Sequence, residues 1–155
     1  MDVKSIGVGI MLSFVVSMSL ITEAFGQTCN RNYKASLDIA FANTVTFVRS
    51  GNDKALIDQI GSQGLTMGPD GPAYSKAEIQ NYFQNKSGPF CLIFTCQGRR
   101  GLIGQNIKRE GAQIAIDTRF GTASIIIGAN TSQELMLSYR FNSECKWELN
   151  ALAAV

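Results

Sequence analysis

Tyr74-Ser75-Lys76-Ala77-Glu78-Ile79-Gln80-Asn81-Tyr82-Phe83 is the most legible stretch of this 155-residue chain. Ser75 and Glu78 form a capping box, in which the serine oxygen takes an orphan amide while the carboxylate reaches back to the cap. Tyr74 before the cap and Ile79 after it are spaced for a hydrophobic staple. Ile79, Tyr82 and Phe83 share one helical face, and Gly88-Pro89 closes the segment. Upstream, Gly68-Pro69-Asp70-Gly71-Pro72 is a tight reversal: proline presets the first central residue of the turn and glycine supplies positive φ. Leu65-Thr66-Met67 reads as a short strand leading into it. Before that, Leu37, Ala40, Phe41, Thr44, Phe47 and Val48 recur at three and four, which predicts an amphipathic helix from about Tyr33 to Arg49. Ser50-Gly51 ends it, and Asn52 can cap a second, short helix carrying Leu56, Ile57 and Ile60, stopped by Gly61 and Gly64.

After Pro89 the period changes to two. Phe90, Leu92, Phe94 and Cys96 alternate with Cys91, Ile93 and Thr95, and the same alternation returns over Ile114–Arg119, Leu135–Phe141 and Cys145–Ala153. Ala123 to Ile127 is apolar enough to be covered on both sides. Turns are expected near Arg99–Gly104, Gly121-Thr122, Asn130–Gln133 and Asn142–Glu144. The pattern predicts an antiparallel meander with one packed face and one more polar. Helix, helix, short hairpin, capped helix and long curved antiparallel sheet make an α+β domain.

Val48-Arg49-Ser50-Gly51-Asn52-Asp53-Lys54-Ala55-Leu56, the Gly68–Pro72 turn and the Tyr74–Phe83 helix together resemble the nuclear transport factor 2-like superfamily. The resemblance covers nearly all of the chain after its first 26 residues, and it implies that helices and sheet form a cone. Its motifs are architectural. The superfamily holds isomerase-like and cyclase-like enzymes, transport factors and many non-catalytic domains, and fold alone does not choose between them.

Composition narrows the chemistry. The chain is 45% hydrophobic and 17% charged, which is globular, and a net charge of +2 is too small for a nucleic-acid binder. It contains no histidine. That removes Ser-His-Asp and Cys-His nucleophilic systems and histidine-ligated metals. No cofactor and no metal is expected.

Residues 1–26 divide as a secretory signal peptide: Lys4, the apolar run Ile6–Ile21, then Ala24-Phe25-Gly26 with small residues where a signal peptidase reads. Cleavage after Gly26 would start the mature domain, 27–155, at Gln27. The alternative, an uncleaved anchor, has a run of only 16 residues, broken by Ser and Gly, against the roughly 20 a span needs. No membrane association is expected after cleavage. All four cysteines (Cys29, Cys91, Cys96, Cys145) follow the cut, which in an oxidising compartment reads as two disulfides. The sequons at Asn85 and Asn130 are glycosylation candidates. A secreted, extracellular protein is expected. In a regular strand, Cys91 and Cys96 would point to opposite faces roughly 16 Å apart, beyond the reach of a disulfide. Each would then pair with Cys29 or Cys145, unless a bulge intervenes.

Enzymes of the resembled fold place an aspartate, often with a tyrosine or histidine, inside the cone. Here the catalytic candidates are Asp38, Asp117 and Tyr82, with Tyr33 and Tyr139 as further hydroxyls. Asp38 also reads as a solvated helix flank, and Asp117 as a surface pair with Arg119. Phe41, Phe47, Tyr82, Phe83 and Trp147 would line a cone pocket able to take a small apolar ligand. The basic, glycine-rich Gln97–Gly111 segment has the wrong glycine spacing for a nucleotide loop and no helix after it. It reads as a solvated hairpin, a site for an acidic partner through Arg99, Arg100, Lys108 and Arg109, or a dibasic processing site. The leading reading is a secreted non-catalytic binding or interaction module. Its partner would be a small apolar ligand, another protein, or a second copy meeting the open sheet face, to which Met136, Ile93 and Ala115 are assigned. The alternative is an isomerase- or cyclase-like enzyme using an Asp/Tyr pair in the cone.

Overall fold

The computed structural model describes residue 29 and residues 32–68 and 71–154; the signal-peptide reading falls outside them, as do Pro69 and Asp70. Helix α1 spans Tyr33–Ser50, capped by the Asn32 side chain, which accepts from the Ala35 amide at 3.1 Å. It ends at Gly51, whose left-handed φ of 71° lets its N–H return to the Phe47 and Val48 carbonyls. Asn52 caps α2, Asp53–Gln59, in the expected way, through the Ala55 amide. Strands β1 (Leu65–Met67) and β2 (Ala73–Tyr74) form the short hairpin. Helix α3, Lys76–Gln84, carries the full capping box. The Tyr74 ring meets Tyr82 edge-on at 5.4 Å.

The segment after Pro89 departs from expectation. Pro89–Ile93 is a helix, α4, not a strand, and proline at its first turn opens it because that position needs no amide donor. Pro89, Phe90, Ile93 and Phe94 are buried while Leu92 is exposed, a helical period that alternating hydrophobicity had masked. A two-residue hairpin follows, β3 (Thr95–Cys96) and β4 (Arg99–Arg100), and then a second short helix, α5 (Leu102–Asn106), where a turn and no helix was expected.

The remaining strands are β5 (Gln113–Asp117), β6 (Thr122–Ile127), β7 (Leu135–Phe141) and β8 (Trp147–Ala154). They form the expected antiparallel meander, and β1 joins it parallel to β8, giving the order β2-β1-β8-β7-β6-β5. The sheet is therefore mixed, and the architecture is α+β. One face, carrying Ala123, Ile125, Leu135, Leu137, Tyr139, Leu149 and Leu152, is buried in the core with Leu37, Phe41, Leu56, Ile79, Phe83 and Ile93. Ile93 thus lies in the core and not on the open sheet face. On that open face the strand pairing aligns Ala115, Ser124, Ser138, Ala151 and Thr66 in one row of small residues. Half-buried Ile126 and Met136 and buried Ala153 form the row beside it.

Candidate functional site

Among the described residues, the five aromatic pocket candidates have different neighbours. Trp147 packs edge-on against Tyr33 and Phe141, and its indole N–H donates to the Tyr33 carbonyl (3.2 Å) and Ser36 Oγ (3.0 Å). Phe83 meets Phe90 and Phe94, at centroid distances of 5.6 and 5.5 Å. Tyr82 lies on Tyr74, and Phe47 packs partly buried against the core. Trp147 lines one surface cavity, Phe41 a second and Phe83 a third.

The candidate acids and hydroxyls are also dispersed. Asp38 lines a cavity of about 290 Å³ with Phe41, Arg109, Glu110, Ala112 and Ile114, a wall without tyrosine. Asp117 caps the β5–β6 turn, its carboxylate accepting from the Arg119 amide at 2.9 Å and the Phe120 amide at 3.4 Å. It therefore serves the backbone of Arg119, where a surface ion pair was expected. The fully buried tyrosine is Tyr139, 2.7 Å from Thr44 Oγ1. Either hydroxyl can donate in this pair, and Thr44 Oγ1 also reaches the Ala40 carbonyl at 3.0 Å and Gln59 Oε1 at 2.8 Å. Burial pushes the Tyr139 phenol far above its ordinary pKa, opposed in part by Thr44, so it stays protonated. Gln59 Nε2 closes the cluster on the Ala40 carbonyl at 2.6 Å. This is a satisfied core network. Among the described residues no cluster of three or more acidic or cysteine side chains could hold a metal ion.

The cysteine pairing overturns the strand-based argument. Cys91 bonds Cys96, and Cys29 bonds Cys145. The helical turn at α4 and the β3 hairpin bring the Cys91 and Cys96 Cα atoms to 5.0 Å. That is within disulfide reach, where an extended strand would have kept them apart.

That same misread segment builds an apolar groove of about 270 Å³, lined by Met67, Gly68, Leu92, Leu102, Ile103, Leu152 and Ala154. Leu92 and Leu102 stand at its rim, 48% and 49% exposed. They are held there by a close approach of backbones. A Cβ on Gly101 would collide with the Leu92 and Cys91 carbonyl oxygens, and one on Gly104 with the Ile93 carbonyl oxygen. The Gly101 amide donates to Phe94 O at 2.8 Å, and the Cys91–Cys96 bond ties α4 to the hairpin. The missed signals were Pro89 at a helix start and the glycines at 101 and 104, which are packing contacts as well as turn formers.

The sequon residues Asn85 and Asn130 are both exposed, Asn85 at the end of α3 and Asn130 in the β6–β7 turn. Among the described residues no helix is long and apolar enough to cross a membrane.

Similarity to known proteins is found in structure alone. No protein-family model and no curated protein matches the chain. Among solved structures, ActVI-ORFA from Streptomyces coelicolor aligns over 81% of this chain and 97% of its own, at 8% identity and a TM-score of 0.48. A protein from Silicibacter pomeroyi described as NTF-2 like and of unknown function aligns over 78% of this chain and 92% of its own, at 11% identity and a TM-score of 0.40.

Proposed function

We propose that the chain is a secreted, disulfide-stapled, non-catalytic binding module that takes a small apolar ligand. The ligand sits in the groove between α4, α5 and the β1/β8 pair. One observation carries the reading: the groove walls are contributed by apolar residues and glycine, with two leucines kept half-exposed at the rim by backbone contacts. Covering leucines left half in water is favourable, by about half of the roughly 1.5–3 kcal/mol of a full side chain. The groove suits a short acyl chain or a small ring system. Asp38 lines a wall without tyrosine and Asp117 accepts from turn amides, which supports binding over proton transfer. Secretion is supported by the pairing of all four cysteines and by the Ile6–Ile21 apolar run.

Native mass spectrometry of chain secreted by eukaryotic cells, run without reduction, tests the reading directly. A retained small apolar molecule is expected. Leu92→Asp and Leu102→Asp, both at exposed positions, are expected to weaken it by about tenfold or more with little change in Tm. Ligand retention unchanged in both variants, or no ligand at all, refutes the groove.

The small-residue row on the open sheet face favours a second copy of the chain as its partner, because flat strands without projecting side chains can approach closely. Sedimentation equilibrium should find a dimer that Ser138→Arg, at the centre of the row, converts to monomer. A monomeric parent protein removes this reading and leaves the groove untouched.

A further inference from the structure

We infer that the cleft between the end of α1 and the β3–β4 hairpin is a binding site for a sulfate or phosphate monoester group. It is formed by Val48, Arg49, Ser50, Gly51, Ile93, Phe94, Thr95 and Arg100, with a volume of about 370 Å³. Arg49 comes from the last turn of α1 and Arg100 from β4, so two arginines far apart in sequence line one concavity. No carboxylate lines it. Among the described residues the ion pair is Lys146–Glu144, and neither Arg49 nor Arg100 is paired with an acid.

Two like charges sharing a cleft repel, and an unfilled site of this kind costs the fold free energy that a bound anion returns. Thr95 adds a hydroxyl, while that of Ser50 donates to the Phe47 carbonyl at 3.3 Å, and buried Val48, Ile93 and Phe94 give an apolar floor. A guanidinium offers parallel N–H donors that match two oxygens of a sulfate or phosphate, so two arginines and a hydroxyl suit a tetrahedral dianion better than a single carboxylate.

The arginines are held by the backbone. Gly51 returns its amide to Phe47 and Val48, and Asn52 donates to Phe47 O at 2.9 Å, so these two carbonyls at the end of α1 already have donors. Arg100 pairs across the hairpin with Thr95, and its carbonyl accepts from Gln105 Nε2 at 2.6 Å. The Cys91–Cys96 bond locks the hairpin to α4. Backbone ordering on binding therefore costs little, and the ordering of the two exposed arginine side chains remains. Of the basic residues at 99–109, the cleft therefore singles out Arg100, joined by Arg49 from outside that segment.

Calorimetric titration of the disulfide-intact chain with inorganic sulfate and with inorganic phosphate tests the site. Binding is expected, weakened about tenfold or more by Arg49→Gln or Arg100→Gln and abolished by both together. Arg109→Gln and Lys108→Gln, which change the same net charge outside the cleft, should alter affinity less than about twofold. A sulfated oligosaccharide binding more tightly than free sulfate, with the same arginine dependence, identifies a glycan as the source; equal affinity identifies the free anion. Equal losses from Arg109→Gln and Arg100→Gln, or the same heat from sodium chloride at matched ionic strength, overturn the proposal. Leu102→Asp leaves this cleft intact, so the anion site and the apolar groove stand or fall separately.

Discussion

A chain carrying Cys29→Ser and Cys145→Ser together should lose about 5 kcal/mol of stability, whereas Cys91→Ser with Cys96→Ser should lose only about 2. The difference is one of loop length. The first bond joins residues 116 apart and the second residues 5 apart, and cross-linking a longer loop removes more entropy from the unfolded chain. For a domain of this size the first loss corresponds to a fall in Tm of about 10–20 °C. The long bond also fastens the residues before α1 to the β7–β8 turn, beside the Trp147, Tyr33 and Phe141 cluster. Thermal melts of the two double variants decide the matter. Equal losses would mean that loop closure is not what the long bond contributes.

The second large effect is expected from Gly101→Ala combined with Gly104→Ala, which should cost about 4 kcal/mol and abolish ligand retention in the groove. Each new methyl group meets a carbonyl oxygen of α4, and backbone cannot rotate away as the tip of a side chain can. Overpacking of this kind costs about 1–3 kcal/mol per site. Relief requires α5 to move off α4, which separates Leu92 from Leu102 and opens the groove. Gly98→Ala is the comparison: nothing lies within 4 Å of a Cβ there, so only the strain of its φ of 75° is added. If the double variant keeps parental stability and ligand, the two helices are not held by close backbone contact.

How much was legible in the sequence depended on whether a local signal had one physical reading. Asn52, the Ser75–Glu78 box and the Gly51 stop each demand a specific backbone geometry, and each is found as read. Strands β7 and β8 were readable because inward residues such as Leu137 and Leu149 alternate with half-exposed neighbours, whereas Ala123–Ile127, expected to be covered on both sides, is buried on one face and half-exposed on the other. Pro89–Cys96 failed because Phe90, Ile93 and Phe94 are apolar at helical spacing while Leu92 and Cys96 complete an alternation by chance. Proline at the first turn was the tie-breaking signal. The disulfide argument failed with it, since it rested on an extended strand. The apolar groove was not legible at all: Met67 and Leu152 meet there only because β1 pairs parallel with β8, and no local pattern encodes that pairing.

That parallel pairing also sets an order of events during synthesis. Thr66 finds Ala151, and Met67 finds Leu152, across some 85 intervening positions. The antiparallel hairpins on the far side of the sheet join residues much closer in sequence. A ribosome can therefore release α1, α2 and the first hairpin early, but their sheet partner arrives almost last. Chains that build most of their contacts late pass through a period with apolar surface uncovered, which slows folding and invites association with other chains. The half-built domain would hold Leu56, Leu65 and Ile79 without the strand that seals them, and its dependence on folding helpers should be greatest in that interval.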